Sequence, residues 1–343
     1  MSWLAAHKVE VAVVVGTGVT CVVAYQLFDW YRKSRWVLVG RVSQLYLYPI
    51  KSCAGNPLES AEATELGLKH EDMWDRRLMI VSGGESKEHW DMVTARKKPS
   101  MILMQSQIID KVLTISAPSK TGSDTTLKKI FVDLSGVQRC GKKLKVKMWR
   151  NQLVEGFDCG DAVSQWISSY LQMPDKSCRL VFQGEGVDHR HVPNQSMDWV
   201  KNKKCKTAYG DSTPYNIATE SSLEQLQSQL TEELDIRFFR PNIVVAGPPP
   251  FAEDKWRKIR INDVHLTNFR PCTRCSMTAV DPDTGIKDDT KAILKKIKET
   301  HNLHSLIGER AGEDSNSGVF GINLQIDKIG TISVGDEVWV RTF

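Results

Sequence analysis

This sequence has little excess of either charge. Among 343 residues, 46 lysines and arginines stand against 41 aspartates and glutamates, a net charge of +5. So small an excess gives no electrostatic footprint for nucleic acid, although it suits an anionic ligand or a membrane surface. A disulfide framework is also missing. The eight cysteines are Cys21, Cys53, Cys140, Cys159, Cys178, Cys205, Cys272 and Cys275, and only the last two are close neighbours. Scattered thiols fit a soluble part that faces a reducing compartment. There is no internal repeat, no low-complexity tract and no flavin, haem or Rossmann fingerprint. With 41% hydrophobic and 25% charged residues and a mean hydropathy of -0.32, the chain is not disordered, collagenous, coiled-coil or a multi-span membrane protein. Its length predicts about two domains.

One long apolar run is present. Residues 11–28, VAVVVGTGVTCVVAYQLF, carry no charge, which is the lower end of what spans a bilayer as a helix. Trp30, Tyr31 and Trp36 follow as an aromatic belt, and Arg32, Lys33 and Arg35 follow against a single Lys8 before the run. The positive-inside rule then puts the C-terminal bulk in the cytosol. A cleaved signal peptide would have its basic end first and a small-x-small site after it. Residues 1–36 are therefore expected to be an uncleaved signal-anchor.

Beyond it, short strand patterns outnumber helical ones. Strands are expected at 42–48, 78–81, 112–116, 130–133, 143–148, 242–246, 259–266, 319–326 and 337–341, the 143–148 segment alternating lysine with Leu144, Val146 and Met148. Helices are expected around Val163–Leu171 after a cap at Asp161, around Leu223–Leu230 after a Ser221–Glu224 capping box, and at Ile293–Ile297. This is an α+β, β-rich pattern with helices packed outside rather than a doubly wound sheet. The polar stretch 183–206 is the expected internal boundary, dividing 37–185 from 186–343.

Chemistry concentrates in a few places. Cys272-Thr273-Arg274-Cys275 is an isolated CxxC with Arg270 nearby. A zinc site needs further ligands, and no second CxxC or HxxxH exists. His301 and His304 sit on a lysine-rich segment and read as solvated surface. Neighbouring cations favour a thiolate, and a thiolate suits a soft redox metal. Tyr48–Ser52, Asp75–Arg77 and Arg240–Asn242 each set a basic residue at a strand end, where a guanidinium can hold a phosphate bidentately. Asp211-Ser212-Thr213-Pro214 reads as a hydroxyl-rich turn.

Eight segments in order, LYPIKSC, WDRRLMIV, VTARKKP, YGDSTPY, FFRPNIVV, RPCTRCSMTAVDPDTG, GVFGINL and TISVGDEVWV, together resemble the MOSC family, most closely its mitochondrial amidoxime-reducing branch. The resemblance runs from about Val39 to Phe343. It implies an N-terminal MOSC-associated β-rich domain at 37–185 and a MOSC β-barrel with peripheral helices at 186–343, after one transmembrane helix. It implies a molybdenum–molybdopterin cofactor with Cys275 as the metal's thiolate. Lys51, Ser52, Arg76, Ser212, Thr213, Arg240, Asn242, Thr273, Arg274 and Asn323 would bind the pterin and its phosphate, and Asp211 would be catalytic beside the metal. Close relatives carry an aromatic residue after Phe-Gly; here Phe320-Gly321 is followed by Ile322-Asn323, so a stacking role is not carried over to Asn323.

The implied activity is reduction of amidoximes, hydroxylamines and N-hydroxyguanidines, with nitrite reduction to nitric oxide as a side reaction. Electrons would come from cytochrome b5 and its NADH-dependent reductase. The implied location is the mitochondrial outer membrane with the catalytic part in the cytosol, and the peroxisome as a second site. A cofactor carrier or a sulfur-transfer protein of the same family is the alternative function.

Overall fold

The computed structural model describes residues 35–83, 88–118, 128–174, 177–192, 197, 200, 205–231 and 233–342. They form two β-barrels, smaller sheets and few helices. The first barrel closes five strands, Lys143–Lys147, Leu153–Asp158, Cys178–Phe182, Leu78–Ser82 and Trp90–Met92, the last pairing in parallel with the first. Leu78–Val81 is buried on both faces, as its unbroken apolar run requires. In Lys143–Lys147 only Val146 is fully buried, and Lys143 and Lys145 point to solvent, the half-buried alternation that period 2 demands.

The second sheet has eight strands in the spatial order Ile243–Ala246, Tyr215–Thr219, Val319–Lys328, Val264–Thr273, Trp256–Ile261, Glu337–Thr342, Val37–Leu47, Asn56–Leu58. An extra pairing between Val37–Leu47 and Ile243–Ala246 closes seven of them into a barrel. The N-terminal strand is thus part of the C-terminal barrel. Its interior is an apolar core that includes Val42, Leu45, Ile217, Val245, Trp256, Ile259, Leu266, Ile322, Leu324 and Val340.

Several local expectations change. The segment 259–266 is not one strand. Trp256–Ile261 and Val264–Thr273 form a hairpin, with Ile261 opposite Val264. Asn262 takes a left-handed φ of 50°, so Asn262-Asp263 makes the two-residue turn that Asn and Asp favour. The helix Glu220–Gln227 is capped by Thr219, whose hydroxyl accepts from the Ser222 N–H at 3.2 Å, two residues earlier than the Ser221 box. Asp161 opens the helix Asp161–Tyr170 rather than capping it, and reaches Arg179 instead at 2.5 Å. His301 is not solvated. Its ring stacks on Phe251 at 4.1 Å and its Nε2 lies 2.9 Å from Asp254, because the residue ends the helix Ala292–Thr300 facing inward. His304 is exposed. Among the described residues no helix is long and apolar enough to cross a membrane; the expected anchor at 11–28 lies outside them.

Candidate active site

The seam between the barrels holds a cavity of about 340 Å³. All twelve site residues expected from the sequence line it: Lys51, Ser52, Arg76, Asp211, Ser212, Thr213, Arg240, Asn242, Thr273, Arg274, Cys275 and Asn323. The strand ends that looked like separate surface charges therefore meet.

One wall is built on Asp75, which is buried. Its carboxylate accepts from the Tyr48 N–H at 3.0 Å, from Asn242 Nδ2 at 3.0 Å and from Arg76 Nη1. The Arg76 and Arg240 guanidinium groups lie over the Tyr48 ring at 4.7 and 4.2 Å. Arg240 Nη2 is buried with no hydrogen-bond partner. Burial, and then the like charge of Arg76, push the Arg240 pKa down. A buried cation with an unused donor calls for an anion. Ser52, Arg76 and Arg240 all hold left-handed backbone, at φ 67°, 52° and 53°. For non-glycine residues that costs about 1–3 kcal/mol each and is typical of ligand clamps.

The opposite wall carries the carboxylate. Buried Lys51 donates through Nζ to the Tyr209 carbonyl at 2.8 Å and to Asp211 Oδ1. Trp149 Nε1 donates to the same oxygen at 2.6 Å, and Arg96 stacks on the Trp149 ring at 4.2 Å. Asp211 is exposed, but to the cavity it lines. Protein enclosure alone would raise its pKa; the Lys51 charge and the hydrogen bonds from Lys51 and Trp149 outweigh that and hold it well below the usual carboxylate range. Lys51 moves down, because burial outweighs Asp211. Asp211 is thus an ionised acceptor in this arrangement, and the nearby proton is on Lys51. Arg190, buried, donates to the Gly210 carbonyl and, at 3.0 Å, to Gln152, holding the 210–213 turn. Its Nε is also without a partner.

The thiols come from the end of the strand Val264–Thr273. Cys272 is within the strand and half-buried; Cys275 follows it and is exposed. Arg274 fixes that end. Its Nε donates to the Phe320 carbonyl at 2.9 Å, Nη1 to the Phe239 carbonyl at 2.6 Å and Nη2 to Asn216 Oδ1 at 3.1 Å. Asn323 lies opposite Asn216 and Arg270 on neighbouring strands. Gly321 keeps φ 70°, and a Cβ there would collide with the Ile217 carbonyl. Thr213 Oγ1 donates to the Tyr215 carbonyl at 3.1 Å.

A soft thiol, two unused buried guanidinium nitrogens and strained basic clamps around one cavity fit a phosphate-bearing cofactor with a soft metal. Among the described residues there is no cluster of three or more His, Cys, Asp or Glu side chains that could hold a bare metal ion. The sequence did not single out Trp149 or Arg190. Trp149 followed an alternating strand without any motif of its own, and Arg190 lay in the polar stretch read as a boundary.

This two-barrel architecture with a cation-lined seam and a cysteine at a strand end defines the class. The MOSC N-terminal beta barrel domain matches residues 39–174 and the MOSC domain matches residues 204–339, and the chain belongs to the MOSC family. It is similar to the mitochondrial amidoxime-reducing component 1 of Mus musculus, 34% identical over 99% of this chain and 92% of that protein. Component 1 of Homo sapiens is 34% identical over 91% of this chain and 86% of its own length. Component 2 of Bos taurus is 35% identical over 90% and 85%.

Proposed function

We propose that this protein is a molybdenum-cofactor-dependent reductase of N-hydroxylated compounds: amidoximes, hydroxylamines and N-hydroxyguanidines, with nitrite as a secondary substrate giving nitric oxide. The observation that carries the proposal is the meeting of the exposed Cys275 thiol with the unpaired Arg240 nitrogen in one cavity. The names of the relatives support the substrate class.

In this reading Cys275 is the metal's protein thiolate. Bound molybdenum supplies the two-electron chemistry at the N–O bond. Arg240, Arg76, Lys51, Ser52, Ser212, Thr213, Thr273 and Asn323 hold the pterin and phosphate. Asn242 and Arg274 act by positioning, since their polar atoms are engaged with Asp75, Asn216, Phe239 and Phe320. The reaction consumes protons, and the Lys51–Asp211 pair is their source: Lys51 carries the proton and Asp211 accepts it toward the cavity. Electrons come singly from cytochrome b5 and its NADH-dependent reductase. Residues 1–36 are the anchor, in the mitochondrial outer membrane with the catalytic part cytosolic, and peroxisomes are a second location; 37–185 and 186–343 are the two domains in sequence, the strand Val37–Leu47 being lent by the first to the barrel of the second.

Metal and pterin analysis of the purified chain, followed by benzamidoxime reduction with cytochrome b5, its reductase and NADH, tests this. Stoichiometric molybdenum with turnover is expected. Bound cofactor without turnover would make the chain a carrier, and zinc alone would overturn the cofactor.

A further inference from the structure

At the end of the C-terminal barrel far from Cys275, five strands set one row of side chains side by side. Leu38 is opposite Trp339, Trp339 opposite Arg260, Arg260 opposite His265, and His265 opposite Lys328. Trp36 lies across this row, edge-on to His265 at 5.8 Å, with the Arg341 and Arg260 guanidinium groups over its ring at 4.6 and 5.1 Å. Arg260 also lies over Trp339 at 5.3 Å.

Neither arginine has a carboxylate partner among the described residues, and Arg341 Nε is buried without a hydrogen bond. Most other charges of this face are paired, Arg41 with Glu337 at 2.8 Å, Lys328 with Asp263 at 3.1 Å and Lys258 with Asp327 at 2.8 Å, while the Asp336 carboxylate accepts from Asn262 Nδ2 at 2.5 Å and from the Ser333 N–H at 2.7 Å. Beside Arg260 and Trp339 is a hollow of about 300 Å³. Val37 and Leu38 expose about half of their surface here, 51% and 46%. Tryptophan with arginine, apolar side chains around them and a small excess of positive charge, two unpaired arginines against Asp336, is the composition of a membrane–water interface.

The chain also enters the barrel here. Trp36 lies only eight residues beyond the apolar run 11–28. Eight residues keep this attachment point within at most about 29 Å of the lipid surface, and closer in any conformation less than fully extended.

We propose that this face of the barrel, centred on Trp36, Trp339, Arg260 and Arg341, docks directly on an anionic phospholipid surface, with the two free guanidinium groups on headgroup phosphates. The proposal rests on the membrane-anchor reading of residues 11–28. It fixes the orientation of the catalytic part. From His265 to Thr273 the strand runs eight residues, so the site stands roughly 20–26 Å from the docked end, allowing for barrel tilt. The cavity thus faces soluble substrate and a donor's haem domain, not the bilayer.

The test uses the full chain in phosphatidylcholine vesicles, with and without about 30% phosphatidylserine, where each arginine at the surface contributes roughly a fivefold change in apposition. Flotation first establishes that the chain stays with the vesicles; loss at that step sinks the anchor reading itself. Hydroxyl-radical footprinting then reads Leu38, Trp36 and Trp339 against Trp149 as an internal reference. Protection of the three, stronger with phosphatidylserine and lost in Arg260→Glu/Arg341→Glu while flotation and circular dichroism are unchanged, is expected. Equal labelling in both vesicle types, or protection that survives the double substitution, would overturn the docking face. Protection that depends on protein concentration in detergent would make it an interface between copies, and would overturn it too.

Discussion

Individual side chains divide into those with free chemistry and those already spent on the fold. Cys275 is exposed at the end of its strand while Cys272 is half-buried within it. Cys275→Ala should abolish benzamidoxime reduction, and Cys272→Ala should retain much of it; equal losses in steady-state rates would favour a dithiol pair instead. Arg240 Nη2 has no partner, so Arg240→Ala removes charge-assisted contacts worth about 1.5–3 kcal/mol. Molybdenum content should fall in a variant that still folds; full occupancy would show that Arg240 holds no phosphate. Asp211 raises the Lys51 pKa against the lowering effect of burial. In Asp211→Asn that support is gone, Lys51 loses its proton at lower pH, and the alkaline limb of the activity profile should move to lower pH. An unmoved limb in initial-rate measurements would remove Lys51 from the proton path.

Among the elements, the strand Val264–Thr273 connects the two ends of the C-terminal barrel. Its first residues pair in the hairpin with Trp256–Ile261, and its last carry the thiols. What stops that end from fraying is Arg274, which closes over the Phe239 and Phe320 carbonyls and the stacked rings of the same residues, 3.8 Å apart. Arg274→Ala leaves those acceptors without a cation and should cost about 3 kcal/mol. Lysine has no planar fork and should restore only part of it. Urea unfolding checks the energy, and the alkylation rate of Cys275 checks the local effect. Unchanged midpoints would mean that the strand end is held by its neighbours alone.

At the scale of the molecule, one buried carboxylate ties stability to pH. Glu253 is fully buried. Burial, then the charge of Asp254, raise its pKa to about 7 against hydrogen bonds from Ser222 and Thr219. The folded state therefore binds more protons than the unfolded chain between the ordinary glutamate range and pH 7. Stability should fall as pH rises through that window, by up to about 3 kcal/mol, and stay low above it. Glu253→Gln keeps a hydrogen-bonding side chain and removes the charge. Its melting temperature should exceed the parent's at pH 8 and match it near pH 5; parallel pH dependence in the two proteins would show that Glu253 does not titrate there.

What the sequence by itself determined is local. Alternation marked 143–148, short strand-like runs marked 78–81 and 112–116, and helical spacing marked Val163–Leu171 and Ile293–Ile297, and the structure has Lys143–Lys147, Leu78–Ser82, Val112–Ala117, Asp161–Tyr170 and Ala292–Thr300 there, since each pattern reflects which face of a short segment meets the core. The ordered motifs also carried the family and its twelve candidate residues. The tertiary structure decided what those residues touch. Lys51 and Asp211 are 160 positions apart, and Arg76 and Asn242 are 166. Their meeting depends on an N-terminal strand that closes the C-terminal barrel. Trp149 and Arg190 entered the site the same way, without a motif, and His301 was drawn from an apparent surface onto Phe251 and Asp254. Backbone preference and periodicity act over a few residues, whereas a cavity is made by strand pairings across the whole chain, so the site's parts were legible and its geometry was not.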